Sequence, residues 1–127
     1  MILRHFVAVC CLAATAAAYA AGNHSHAHEH KPLHGGLVVE VKDMDFELVA
    51  KPDVLQLYVR DHGKPVDTTK ASAKITLLSG ADKQDVELKA KDDKLEARGN
   101  FKVAAGTKAA ASVVIGGKSI SARFVVK

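Results

Sequence analysis

Apolar and polar residues alternate along most of the chain after residue 36. In these runs every second residue is apolar, which is the spacing of half-buried β-strands, because successive strand side chains point to opposite faces of a sheet. The alternating runs are 37–42, 46–51, 55–60, 75–78, 86–91, 95–98, 113–115 and 120–126. The pattern predicts seven or eight short strands, while the alanines at 109–111 are compatible with the start of a short helix.

Turn-forming residues separate the runs. Two pairs, Asp92-Asp93 and Gly116-Gly117, suit tight hairpins. The segments 61–65, 79–82 and 104–107 contain glycine with polar residues or alanine and are predicted to be loops or chain breaks. Short strands at this spacing predict an all-β domain over residues 34–127, with the architecture of an immunoglobulin-like antiparallel β-sandwich.

The first 20 residues have the pattern of a cleavable secretory signal. Arg4 supplies the positive charge at the start, and an apolar run follows at residues 6–18. The small residues Ala18 and Ala20 fit the cleavage rule of the signal peptidase. The run is shorter than the roughly 20 apolar residues that a membrane-spanning helix needs. We therefore expect residues 1–20 to be removed and the product to be a soluble periplasmic protein without a membrane span.

Removal of the signal changes the composition of the product. Cys10 and Cys11 lie in the apolar run, so the mature chain would contain neither a disulfide nor a cysteine ligand. Loss of Arg4 lowers the formal net charge from +4 to +3. The remaining lysines are scattered and alternate with apolar residues, whereas a nucleic-acid surface clusters its positive charge and adds stacking aromatics. We therefore expect no nucleic-acid partner.

Residues 21–33 form a polar tail that is rich in histidine. This segment has too little apolar content to offset the entropy of folding, so we expect it to be disordered without a ligand. The histidines at alternate positions are His24, His26, His28 and His30, and His34 follows. Imidazole suits Zn, Cu, Ni and Co, and His-rich tracts are typical of metal binding.

The spacing does not select one metal or one geometry. In an extended chain the four tail histidines share a face, and in a helical turn the pairs His24/His28 and His26/His30 do so. A solubilising tail with incidental histidines is the alternative. His34 precedes Gly35-Gly36, which either positions a ligand or only lets the chain turn into the sheet.

Other chemistry is sparse in this sequence. His62 lies in the 61–65 loop and is expected to be a solvent-facing turn residue, although a fixed copper site built from His34 and His62 is conceivable if they lie close together. There is no nucleophile elbow and no phosphate-binding loop. We therefore expect that the protein is not an enzyme.

Several short motifs occur in an order that resembles a known family. They are His34-Gly35-Gly36-Leu37-Val38, Phe46-Glu47-Leu48-Val49, Leu57-Tyr58-Val59, Asp61 with Gly63-Lys64-Pro65-Val66, and Ser121-Ala122-Arg123-Phe124. They resemble the small periplasmic β domain near the N-terminus of heavy-metal efflux adaptor (membrane-fusion) proteins of the resistance-nodulation-division systems. The resemblance implies metal handling beside a heavy-metal efflux complex, with His34 as the ligand that matches the family motif. Within residues 1–127 we expect no counterpart of the coiled-coil hairpin, lipoyl-like domain or barrel domain of those adaptors.

Two functions follow from the sequence. The first is a periplasmic transition-metal-binding protein, a buffer or chaperone linked to heavy-metal efflux, in which the tail captures the ion. The alternative is an immunoglobulin-like protein-interaction module that uses a sheet face or edge and has no specific metal role.

Overall fold

A computed structural model describes residues 31–127 of the chain. The expected signal peptide, 1–20, and the histidines from His24 to His30 lie outside the described residues. Within 31–127 every regular element is a β-strand and every strand pair is antiparallel. The strands are β1 (Leu37–Val41), β2 (Met44–Lys51), β3 (Val54–Asp61), β4 (Lys64–Pro65), β5 (Ser72–Ser79), β6 (Asp82–Lys91), β7 (Lys94–Arg98), β8 (Lys108–Ile115) and β9 (Lys118–Val125).

The expectation of an all-β antiparallel domain is confirmed. The strands form one continuous sheet in the order β1-β2-β3-β7-β6-β5-β8-β9, whereas the expected sandwich would have two separate sheets. The sheet is continuous because β3 pairs with β2 on one side and, on the other, with β7 and the short β4. It curls into a nearly closed, barrel-like layer in which β1 approaches β9.

Two details of the strand prediction are corrected. The alanines at 109–111 belong to β8, where each pairs with a residue of β5 and of β9, so the cross-strand ladder overrides their helical preference. The predicted loop 61–65 contains β4, a two-residue strand that a pattern of alternation cannot detect. The hairpins expected at Asp92-Asp93 and Gly116-Gly117 are present as two-residue turns.

The inner face of the curled sheet holds the hydrophobic core. Phe46, Leu57 and Leu95 are fully buried on neighbouring strands, and Ile75 and Val113 are fully buried on the far side of the core. These are the alternating apolar positions of the sequence, and burying each large side chain stabilises the fold by about 1.5–3 kcal/mol. The residues of the inner face therefore stabilise the fold, and the polar side chains that are candidates for a functional role lie on the outer face.

The strands differ in how their outer faces are covered. In β8 buried and exposed residues alternate strictly, as expected for a strand with one solvated face. In β2 the five residues from Asp45 to Val49 are all buried, so both faces of this strand are covered. The cover over the outer face of β2 includes residues 31–36, which we call the anchored segment.

Candidate functional site

The carboxylate of Glu47 holds the anchored segment against the outer face of β2. It accepts hydrogen bonds from three backbone N–H groups, of Leu33 at 2.9 Å, His34 at 2.7 Å and Gly36 at 3.0 Å. The Glu47 side chain is completely buried. One side chain of the sheet therefore fixes the backbone on both sides of His34.

Arg60, on the adjacent strand β3, completes this anchor. Its guanidinium donates to Glu47 Oε1 at 2.8 Å and to the backbone carbonyl of Lys31 at 3.0 Å. Arg60 is also buried, with 5% of its surface exposed. A buried charge pair of this kind is maintained only when further hydrogen bonds satisfy its polar atoms, and here the anchored segment supplies them.

These hydrogen bonds determine how Glu47 titrates. Burial alone would raise the pKa of Glu47, but the hydrogen bonds from Arg60 and from the amides of Gly36, Leu33 and His34 outweigh it. The pKa of Glu47 is therefore lowered from its ordinary value of 4.5. At neutral pH the anchor is a carboxylate paired with a guanidinium.

The two glycines beside His34 have different structural roles. Gly35 has a φ of +73°, a left-handed conformation that side chains rarely adopt. A Cβ atom on Gly36 would lie 2.4 Å from the carbonyl oxygen of Leu48, so only glycine allows this close approach to β2. The pair therefore both turns the chain and lets it press onto the sheet.

The imidazole of His34 lies flat on the ring of Tyr58. The two ring centroids are 3.6 Å apart and the ring planes differ by 10°. Tyr58 is the cross-strand partner of Glu47, and Lys94 Nζ lies 5.8 Å from the Tyr58 centroid. Burial, together with the charges of Asp93, Glu47 and Glu96, raises the pKa of Tyr58.

Next to Tyr58, the Glu96 carboxylate is engaged by several groups of the sheet. Gln56 Nε2 donates to it at 2.9 Å, Lys91 Nζ lies at 3.2 Å and Arg98 Nε at 3.7 Å. The hydrogen bond from Gln56 and these cations lower the pKa of Glu96. Glu96 is therefore a buried carboxylate with several hydrogen-bond and ion-pair partners.

The second described histidine is remote from His34. His62 occupies the turn between β3 and β4 with a φ of +52°, is exposed, and its Nδ1 donates to Asp61 at 2.5 Å. It lies four residues beyond Tyr58, a distance of about 13 Å along a strand. His34 thus stacks on the middle of β3, whereas His62 follows its end, and the structure gives no support to a fixed copper site shared by these two histidines.

Of the five predicted metal ligands, one lies among the described residues and four precede them. His34 is part of the anchored segment, and His24, His26, His28 and His30 precede the described residues. Within residues 31–127, no three His, Asp or Glu side chains come together as a group that could hold a metal ion. The sequence analysis gave no functional role to Glu47, Arg60 or Tyr58, which all lie on the outer face of β2 and β3.

No helix of the described part of the chain is both long and apolar enough to span a membrane. No family model, curated protein or solved structure matches this chain. The resemblance to efflux adaptors therefore has no support beyond the order of the short motifs. The function has to be argued from the site itself.

Proposed function

We propose that this chain is an exported periplasmic protein that binds transition-metal ions, of the class Zn, Cu, Ni or Co. Its ligands are the imidazoles of the His-rich segment, residues 24–30, together with His34. The observation that carries the proposal is the buried Glu47–Arg60 pair, which fixes the backbone at Lys31, immediately after His30.

A tail that only keeps the protein soluble does not need an anchor such as the Glu47–Arg60 pair. Two charged side chains are withdrawn from water to hold the few residues that follow the histidines, and burying charge is costly unless the arrangement is complete. A tail that only kept the protein soluble would serve equally well with a flexible, solvated junction. The built junction supports a His-rich segment that acts together with the domain.

The ligand chemistry supports capture of borderline metal ions. Several neutral imidazoles on one short chain provide N ligands that suit these metals, and Glu29 adds a carboxylate that zinc accepts. Because all of the imidazoles belong to one chain, binding by the first brings the others to a high effective concentration. The protein then serves as a buffer or as a chaperone that delivers metal to a heavy-metal efflux complex.

Calorimetric titration with Zn(II), Cu(II), Ni(II) and Co(II) tests the proposal. The comparison is between the wild-type protein and a variant that carries His24→Ala, His26→Ala, His28→Ala and His30→Ala. We expect tight binding by the wild type and loss of most of the affinity in the variant. The matched control is His62→Ala, which removes a remote histidine and should leave binding unchanged.

The pH dependence of binding gives a second readout. Protons compete with metals for imidazole, so affinity should fall below about pH 6. Equal binding by the wild type and the fourfold variant, or affinity retained at pH 5, contradicts the proposal. Export is tested separately by N-terminal sequencing of the protein from the periplasmic fraction, which should begin at Ala21.

The alternative is a protein-interaction module related to immunoglobulin-like domains. It is favoured by the outer face of β5, β8 and β9, where the exposed Ala110, Ser112 and Ser121 form a shallow surface beside Lys74 and Arg123. If the wild-type protein binds none of the four metals, this face becomes the better candidate for the functional surface.

A further inference from the structure

We infer that the outer face of β5, β8 and β9 docks an acidic segment of another protein. Lys74, Lys108 and Arg123 bind the carboxylates of that segment, and Leu78 and Val125 pack against its apolar side chains. The alternative function places its contacts on this same face, and the inference adds the chemistry of the partner. Metal binding by the histidines is not required for this interaction.

Acidic and basic residues are unequally distributed along the chain. Residues 97–127 contain six lysines or arginines and no aspartate or glutamate. β8 and β9 lie entirely within this stretch, and β5 contains Lys74 but no acidic residue. The outer face of these three strands is therefore positively charged, and carboxylate side chains begin only on the next strand, β6.

Two of the three cations have no carboxylate beside them. Lys108 lies between Leu78 of β5 and Val125 of β9 in one cross-strand row. Arg123 lies opposite Ala110 of β8. Neither cation forms an ion pair with another described residue. Both are exposed, so their charges are available to the carboxylates of a partner.

Leu78 and Val125 present apolar surface on the two sides of Lys108. They are 41% and 56% exposed, whereas their chain neighbours Leu77 and Phe124 point into the core and are buried. Burial of apolar surface stabilises a complex, while exposed charge pairs mainly steer the encounter and select the partner. This row of the sheet therefore combines a source of affinity with a source of selectivity.

A shallow hollow of about 240 Å³ lies between Lys74 and Arg123. The side chains on its floor are small, namely Ala110, Ser112 and Ser121. Lys74 Nζ is 4.0 Å from Asp85 Oδ2, and both side chains are exposed, so this weak pair can give way to another carboxylate. The hollow therefore has room for an aspartate or glutamate side chain between two cations.

The side chains of the face favour a protein partner over an anionic membrane. Proteins that bind lipid surfaces insert aromatic and large apolar side chains, and proteins that bind single-stranded nucleic acid stack aromatic side chains on the bases. Within residues 31–127 the aromatic side chains lie elsewhere, since Phe46, Phe101 and Phe124 are buried and Tyr58 is on β3. Separate cations beside aliphatic side chains match a protein segment that carries carboxylates next to apolar residues.

Chemical-shift mapping of the full ¹⁵N-labelled protein tests the inference. The probe is a short peptide of Glu-Glu-Leu repeats with blocked ends, and the control peptide has Gln-Gln-Leu repeats of the same length. We expect the glutamate peptide to shift amide resonances of β5, β8 and β9, and its affinity to fall as salt is added. The glutamine peptide should bind at least about threefold more weakly, because it offers no charge to the cations.

A pair of double variants tests which cations bind the glutamate peptide. Lys108→Gln with Arg123→Gln removes the two unpaired cations of the face, and Lys51→Gln with Lys64→Gln removes two exposed lysines elsewhere. Both variants lose the same net charge. We expect the first to weaken binding about threefold to tenfold and the second to change it by less than about twofold. All four side chains are exposed, so both variants should keep the fold, which circular dichroism verifies.

Three results would overturn the inference. The first is equal weakening in the two double variants, since net charge alone would then explain binding. The second is a set of shifts on other strands, or no binding of the glutamate peptide at about 1 mM. The third is binding of phosphatidylglycerol vesicles through Lys108 and Arg123 without binding of the peptide, which would make the face a membrane surface. The probes contain no metal, so these results are separate from the test of the proposed function.

Discussion

The outer face of the sheet is built differently in its two halves. Over β2 and β3 it carries a buried ion pair, Glu47–Arg60, and is covered by the anchored segment. Over β5, β8 and β9 it is not covered by any of residues 31–36, and its exposed residues include cations such as Lys74 and Arg123, small residues, and the apolar side chains of Leu78, Val114 and Val125. The inner faces of both halves contribute to one core, so the contrast concerns only what lies outside it.

The two halves also differ in whether charged side chains are buried on the outer face. The half over β5, β8 and β9 has apolar residues inside and mostly polar or small residues outside, as in a one-sided sheet, although Leu78, Val114 and Val125 are exposed there. The covered half places charge where water is excluded, which is costly unless each partner is satisfied. Because the anchored segment follows the His-rich segment in the sequence, the metal binding that we propose is assigned to this half.

The largest effect should come from removing the acceptor of the anchor. Glu47→Ala leaves the Arg60 guanidinium buried without its partner and three amides without an acceptor, so we expect a loss of about 3–5 kcal/mol in the free energy of unfolding. Urea denaturation measures it. Ser121→Ala on the half over β5, β8 and β9 is the matched control and should stay within about 0.5 kcal/mol of the wild type. Similar values for the two variants would remove the distinction between the halves.

A smaller loss is expected where the chain presses onto β2. A Cβ atom on Gly36 would meet the Leu48 carbonyl oxygen at 2.4 Å, so Gly36→Ala has to displace the backbone, at about 1–3 kcal/mol. Gly35→Asn is the control, because nothing lies within 4 Å of that position and asparagine tolerates a positive φ. Thermal unfolding that ranks Gly35→Asn as the more destabilising change would contradict the described packing.

The acid sensitivity of the fold should depend on Glu47. Its pKa is lowered in the folded state from 4.5, so it contributes stability that is present above pH 4.5 and lost as the pH falls through the folded pKa. Urea midpoints measured from pH 7 to pH 3 should therefore fall less steeply for Glu47→Gln than for the wild type. Asp67, Asp82, Asp85 and Glu96, whose pKa values are also lowered, are present in both proteins and cancel in the comparison. Equal slopes would mean that the anchor does not titrate.

The smallest effect is expected for an exposed ion pair away from the anchor. Lys102 Nζ lies 2.6 Å from Asp82 Oδ2, and both side chains are largely exposed. Exposed pairs of this kind contribute little to stability, so Lys102→Ala should hardly change the urea midpoint. A loss as large as that for Glu47→Ala would show that burial is not what distinguishes the anchor.

The sequence predicted which residues lie on the inner face, because in a strand with one buried face every second residue is apolar and faces the core. Each strand except β4 contains one of the alternating runs, although the runs begin three or more residues late in β5, β6 and β8. The single sheet was not predicted, because it depends on β3 pairing with β7, and residues such as Gln56 and Glu96 are distant in sequence. Alternation shows which side chains of a strand face the core, but it does not show which strands pair with each other.

The anchor could not be found from the sequence for a related reason. Glu47 alternates with Phe46 and Leu48 in the same way as an ordinary solvated residue of a strand. Its burial depends on the anchored segment and on Arg60, which is 13 positions away. The histidines were found because composition alone marks them, and their role remains a proposal.

X-ray absorption at the zinc edge of the zinc-loaded protein tests the central claim most directly. Ligation by His24–His30 and His34 predicts a shell of nitrogen or oxygen at about 2.0–2.1 Å, with the multiple scattering of several imidazole rings and no sulfur. The imidazole signal should diminish in the fourfold His→Ala variant. A protein that retains no zinc after dialysis, or a zinc spectrum without imidazole scattering, would contradict the account.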